Sequence, residues 1–393
     1  MNNKKETLKI SLIAIFLGIL LGVVILLVSG KNPFLLFNSF LRGIIGVDLI
    51  KGNGVNLRYF GEFIVTSMPI VLTGLSVGFA YRTGLFNIGA EGQLMVGAMT
   101  SIVVAILVPM PAGIHAIVCV LSGTLAGALW GFIPGFFKSK WNVHEVVICI
   151  MMNYIGLYFS NWAIRSLPGS TESKSEIINS TASLSSSFLA DVTNHSRLNW
   201  GIIFVILAVV AYWFILEKTS FGYNLRATGF NKEGARYAGM KVNRNIIYSM
   251  MIAGALAGLA GAIVSLGTFN MGRVLTTFEN YGFDGIAVAL TGACNAIGIV
   301  LSGLLFGLLK VIQPMLQING VPKEIGEIIS SSIVLFVAMQ YGIKMFIGWI
   351  AKKKVEKSIK EYKNKSTKVL NLPGMECTRE CVKALINMPV MLS

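Results

Sequence analysis

Tyr81-Arg82-Thr83-Gly84-Leu85-Phe86-Asn87-Ile88-Gly89-Ala90-Glu91-Gly92-Gln93-Leu94 is the stretch on which the reading of this chain turns. Apolar runs flank it on both sides, yet three glycines, an arginine, two side-chain amides and a carboxylate interrupt the pattern. An unbroken lipid-facing helix does not suit it, because an ionisable group in hydrocarbon is costly and has to face a cavity or a partner. Gly84, Gly89 and Gly92 permit a broken helix or close packing, and the freed backbone groups must then line a cavity or be buried in protein. The stretch is read as a discontinuous segment within a membrane.

The composition around it agrees. Of 393 residues, 54% are hydrophobic and 13% charged, about half the charge of an ordinary soluble domain. Forty-two glycines against ten prolines suit packed membrane helices, where small residues let backbones approach. A helix needs about 20 apolar residues to cross some 30 Å of hydrocarbon. About ten such spans are expected, at 10–29, 59–80, 85–108, 112–137, 143–164, 200–216, 246–269, 281–293, 297–316 and 325–350, the eighth a shorter piece. The first is too long for a signal peptide and lacks a small-residue cleavage site, so it reads as a retained anchor. The polar connection at 165–198, rich in Ser, Thr and Asn, reads as an extracytoplasmic lid or docking loop.

The net charge of +15 forms no single basic face, which argues against nucleic acid and for topology and lipid contact. Lys4, Lys5, Lys9, Arg82, Lys138, Lys140, the 217–245 loop and the basic tail at 351–393 bias one side. Both termini are therefore expected in the cytoplasm, as an even number of spans requires.

No P-loop occurs, Gly52-Asn53-Gly54 is not continued as a dinucleotide fingerprint, and His144-Glu145 lacks the second histidine of a zinc helix, since Ile148 stands in its place. Five cysteines and three histidines form no metal set or nucleophile pair. No catalytic residue, metal or cofactor is expected.

A second interrupted stretch, Phe278-Glu279-Asn280-Tyr281-Gly282-Phe283-Asp284-Gly285-Ile286-Ala287-Val288-Ala289-Leu290-Thr291-Gly292, sits in the second half much as the first sits in the first half. Broken helices at matching positions of a five-plus-five inverted repeat point to a transport path. Asn87, Glu91, Gln93, Asn153, Tyr154 and Asp284 are the candidate pathway residues, offering hydrogen bonds and stacking to a neutral polar solute. Glu145, near a helix start, suits the dipole there as well as it suits a gate. Asn161 and Asn270 read as interfacial polar groups. Within the 217–245 loop, Asn231 is an N-cap candidate and Gly239 a stop, which predicts a short helix between them.

That loop, with Gly84 to Gln93, Asn142-Val143-His144-Glu145-Val146-Val147 and Tyr281 to Leu290, resembles the permease subunits of bacterial ABC importers for simple sugars, branched-chain amino acids and nucleosides. The match covers nearly all of 1–350. It is most similar to the nucleoside importer permeases that work with a basic-membrane-lipoprotein-type binding protein. The resemblance implies an all-α type II importer permease, paired with an identical or different second permease. It also implies cytoplasmic ATP-binding subunits, an extracytoplasmic lipoprotein and a plasma-membrane location. It makes the loop a coupling helix, with Arg226, Ala227, Thr228, Gly229, Asn231, Lys232, Gly234, Ala235, Arg236, Ala238 and Gly239 at the ATPase interface. Two other readings are weighed beside it. An ion-coupled transporter or channel is motivated by Glu91 and Asp284, whereas a membrane enzyme lacks any convincing catalytic set.

Overall fold

Backbone N–H and C=O groups left bare in hydrocarbon cost several kcal/mol each, so every apolar run closes its own into helix. The computed structural model describes residues 2–49, 52 and 55–339, with isolated positions between 342 and 353. In chain order its helices are α1 (Asn2–Val28), α2 (Phe34–Ile45), α3 (Leu57–Arg82), α4 (Ala90–Leu107), α5 (Ile114–Trp141), α6 (Glu145–Arg165), α7 (Ser187–Val192), α8 (Gly201–Lys218), α9 (Ser220–Phe230), α10 (Lys232–Tyr237), α11 (Val242–Ile263), α12 (Tyr281–Thr291), α13 (Ala296–Ile318) and α14 (Lys323–Ala338). Two short strands, β1 (Lys174–Ile177) and β2 (Met271–Arg273), pair antiparallel. A π-helical turn, Val264–Phe269, extends α11.

Among the described residues, seven helices are long and apolar enough to cross a membrane: α3, α4, α5, α6, α8, α11 with its π turn, and α13. The other three expected spans fall on α1, α12 and α14. Among the described residues Phe16–Val28 of α1 is an apolar helix, and α12 has 11 residues, about 16 Å, half of the hydrocarbon thickness. The expected tenth span beyond Ala338 lies mostly outside the described residues, as does the basic tail apart from Lys353. The short helix α2 in the first connection was not among the expected elements.

Residues 15–338 form one body. Within it α3 packs on α11, α12 and α13, while α11 packs on α3, α4 and α5. Exchanging the first five spans for the last five converts one set into the other. The α3–α12 contact becomes α11–α4, α3–α13 becomes α11–α5, and α4–α6 becomes α12–α14. The pairing is that of a five-plus-five repeat, and an odd number of spans in each half inverts it.

Backbones approach closely between α5 and α11. Gly123, Gly127 and Gly131 follow one another at helical spacing and face Gly254 and Gly258. A Cβ on Gly127 would fall 2.6 Å from the Gly258 Cα, and one on Gly97 of α4 would fall 2.5 Å from the same atom. Three helices thus touch backbone to backbone, with dispersion contacts replacing a hydrophobic effect that lipid does not supply.

The 165–198 segment is folded down rather than loose. Leu167, Ile178, Ala182 and Leu184 are buried in the main core, β1 pairs with β2, and the Leu184 N–H donates to the Leu266 carbonyl on the π turn. Arg197 clasps Glu62 of α3 through both Nε and Nη2 (2.6–3.2 Å), and that carboxylate raises the guanidinium pKa further above its usual value.

Candidate functional site

The two sequence breaks meet. The first is the non-helical run 83–89 between α3 and α4, turned by Gly84 at φ +74°. The second is the run 274–280 between β2 and α12. The Thr73 hydroxyl donates to the Tyr281 carbonyl (2.8 Å). Because Thr73 lies nine residues before the end of α3, roughly 13 Å along the axis, α12 begins at mid-depth rather than at a surface.

Glu91 joins the breaks. It is the second residue of α4 and fully buried, and its carboxylate reaches across to the start of α12. Oε1 accepts from the Asn280 N–H (2.9 Å) and Oε2 from the Gly282 N–H (2.5 Å). Two helix N-termini, each carrying partial positive charge, share one carboxylate. Gly282 makes the crossing possible, since a Cβ there would fall 2.7 Å from the Glu91 Cα. This arrangement accounts for an acid in the membrane without a bound ion.

The neighbouring amides close the first break. Asn87 and Gln93 exchange hydrogen bonds in both directions (2.9 and 3.1 Å), and Asn87 also donates to Ser76. Asn153 of α6 accepts from the Gly92 N–H and donates to the Ile88 carbonyl. All three amides are buried. Asn161 likewise holds Leu275 through both its N–H and its carbonyl (2.7 and 2.9 Å), and Glu145 pairs with Lys138 at 2.9 Å.

Tyr154 and Asp284 lie elsewhere, on an open face. Tyr154 is half exposed and its ring meets Phe278 edge-on at 5.0 Å; Phe278 in turn meets Phe283 at 5.7 Å. Asp284 pairs with Lys310 of α13 at 2.5 Å, both side chains nearly a third exposed, and the Lys310 ammonium lies over the Tyr281 ring. Farther toward the lid, Arg273 forms a two-bonded pair with Glu279 (2.6 and 2.7 Å) and stacks on Phe269. Lipid is a poor neighbour for half-open ion pairs, so this face of α6, α12 and α13 is distinct from the Leu- and Ile-covered outer faces of α5 and α8. Sequence reading passed over Lys310, although a lone cation inside an expected span was the signal for it.

At the opposite end from the lid, the expected short helix is present as α10. The Asn231 side chain accepts from the Gly234 N–H (2.9 Å), and Gly239 at φ +79° ends the turn. An 11-residue helix, α9, precedes it. Thr228 is buried and bonded by Asn245 (2.9 Å), and Gly229 fits directly beneath the first break, where a Cβ would fall 2.5 Å from the Arg82 carbonyl and 2.9 Å from the Gly84 nitrogen. Ala235 is buried, while Lys232, Gly234, Arg236, Ala238 and Gly239 lie at the surface or partly so. Arg236 pairs with Glu233 and Arg226 with Glu217. Phe230 and Tyr237 stand 93% and 92% exposed, two aromatic rings that helix periodicity alone did not mark as outward.

Among the described residues no group of His, Cys, Asp or Glu gathers to hold a metal ion. Membrane-length helices, with the half-helix α12 starting at mid-depth against the N-terminus of α4, define a multi-pass membrane protein. The model of the branched-chain amino acid transport system permease component matches residues 59–339, and the chain belongs to that family. It is 45% identical, over 88% of its length and 97% of the relative's, to the guanosine ABC transporter permease protein NupP of Bacillus subtilis. It is 35% identical to the nucleoside ABC transporter permease protein NupB of Lactococcus lactis, over 88% of this chain and 95% of that one. Against the glucose ABC transporter permease protein TsgB13 of Haloferax volcanii the identity is 32%, over 70% and 75% of the two chains. No solved structure matches the chain significantly. The chain is a permease subunit of an ABC transport system and not itself an enzyme, as the sequence motifs implied.

Proposed function

We propose that this chain forms half of the translocation pathway of a nucleoside importer in the bacterial plasma membrane, with both termini cytoplasmic and ATP hydrolysed on a partner chain. The observation that carries the ATP-driven reading is the α9–α10 loop: Phe230 and Tyr237 project almost fully from a segment anchored to the first break. Exposed aromatic anchors on a rigid base are what a partner protein buries. Lys232 and Arg236 beside them suit an acidic rim. The domain division follows: a permease body over 1–350, the lid at 165–198 toward the binding lipoprotein, the coupling loop at 217–245 and the basic tail at 351–393.

For the pathway itself, the open face with Tyr154 and Asp284 is the better surface for solute, and a second permease, identical or different, completes it. Asn87, Glu91, Gln93 and Asn153 support the path from behind by holding the breaks. Nucleoside is the solute class favoured by the names of the relatives NupP and NupB and by the Tyr154–Phe278–Phe283 row, since aromatic rings stack on bases. The ion-coupled alternative loses its motive, because Glu91 is bonded to backbone and Asp284 to Lys310.

Uptake of radiolabelled guanosine by cells with and without this chain tests the proposal, with a Walker-lysine mutant of the ATPase as control. Uptake that requires both the chain and an active ATPase is expected. Uptake that survives the dead ATPase and collapses with an ionophore would overturn it.

A further inference from the structure

Glu217 is the second-to-last residue of α8, where the partial negative charge of the helix end disfavours a carboxylate. Two arginines from different elements compensate. Arg82, the last residue of α3, donates from Nη2 to Oε1 at 2.6 Å, and Arg226 of α9 donates from Nη1 to Oε2 at 2.7 Å. The network continues, because Arg82 Nη1 also reaches the Cys294 carbonyl at 3.5 Å, which accepts from the Tyr212 hydroxyl at 2.8 Å. Ala293 and Cys294 both hold φ +51° in the turn that ends α12 and starts α13.

We propose that Glu217 is a positioning residue for coupling, which ties the docking helix α9 to the loop-side ends of α3 and α12 so that a displacement of α9 reaches both breaks together. The inference rests on the reading that the α9–α10 loop docks the ATPase. Three observations converge on it. Exposed ion pairs contribute little to folding on their own, so a carboxylate placed against its helix dipole needs another reason. Each oxygen serves a different element, which makes the group a hinge pin rather than a redundant pair. Gly229 abuts the Arg82 carbonyl on the same side, leaving α9 no freedom to slide past α3 while the pin is in place.

The experiment uses the full complex in liposomes, with guanosine uptake and ATP hydrolysis measured in the same vesicles. Glu217→Gln is expected to lower guanosine moved per ATP by about fivefold or more, the lower end of typical coupling between sites. The ATPase should still co-purify in wild-type proportion. Arg226→Gln should do the same, and the double variant should be no worse than either single one. Glu217→Asp, which keeps the negative charge between Arg82 and Arg226, should recover part of the ratio. An unchanged ratio in Glu217→Gln overturns the proposal, as does loss of ATPase binding that Glu217→Asp does not restore. Wild-type uptake that ignores a dead ATPase overturns the docking reading and this inference together, whereas normal ATP dependence with unaltered Glu217 variants sinks the inference alone.

Discussion

The two breaks are related by the repeat but built to different specifications. The run at 83–89 is short and dry: Asn87 and Gln93 answer each other, Asn153 fastens Gly92 and Ile88, and none of these amides reaches the surface. The run at 274–280 has the same length but is half open, bordered by a row of rings and the Arg273–Glu279 pair, with Asp284–Lys310 just beyond it. A fully satisfied buried network specifies one arrangement, whereas partly solvated ion pairs and rings re-form at small cost. The contrast teaches that the first break is the fixed member and the second the one free to rearrange, which is why the proposed solute path is drawn along the second.

Six substitutions and one labelling experiment sharpen or break this contrast. Gly282→Val, which drives side-chain atoms into the Glu91 backbone, should cost about 4 kcal/mol or more and leave no monodisperse protein on gel filtration. Glu91→Ala strips two N–H groups of a charged acceptor and should cost about 3 kcal/mol, with Glu91→Gln losing roughly half of that, as read from melting in nanodiscs. At the first break, an Asn87→Ala and Gln93→Ala cycle should give a coupling of about 1 kcal/mol or more. At the second, Phe283→Ala forfeits one ring contact, about 1 kcal/mol or less, yet guanosine uptake should fall by roughly tenfold, the factor that 1.4 kcal/mol sets in a rate. If Phe283→Ala destabilised the protein more than Asn87→Ala while sparing uptake, the assignment of fixed and available breaks would be reversed.

The smallest effect concerns the turn after α12. Burial pushes the Cys294 thiol up to about 11, so it stays protonated at pH 8, and a water-soluble maleimide should leave it unlabelled in the resting protein. Because the folded form holds its proton more tightly than a free thiol does, this group contributes stability that is lost as pH rises toward 11. Labelling that appears at pH 8 during ATP turnover would place movement at that turn.

Much of this architecture was legible in the residues. Span positions follow from apolar length, the first break from the polar interruption at 81–94, and α10 from Asn231 and Gly239, because each signal is local. What the breaks do to one another was not legible, since Glu91 bonds residues 189 and 191 positions away and nothing in its own neighbourhood announces that. The same distance hid why Asn87 and Gln93, which read as solute ligands by residue type, hold each other instead. Phe230 and Tyr237 were not legible as outward rings, because each is the last residue of a short helix, α9 of 11 residues and α10 of six, too short for periodicity to separate the faces. Lys310 lay in an expected span, where one charge among many apolar residues carried little weight.

The glycine seam between α5 and α11 has a consequence for how the protein is made. Gly127 and Gly258 touch, yet they leave the ribosome roughly 130 residues apart, a delay on the order of 7–26 s at ordinary elongation rates of about 5–20 residues per second. Throughout that interval the face of α5 that meets Gly254 and Gly258 lacks its native partner, because α11 has not been synthesised. Synonymous changes that slow translation between α6 and α11 are therefore expected to reduce the yield of inserted protein without altering a single residue of it.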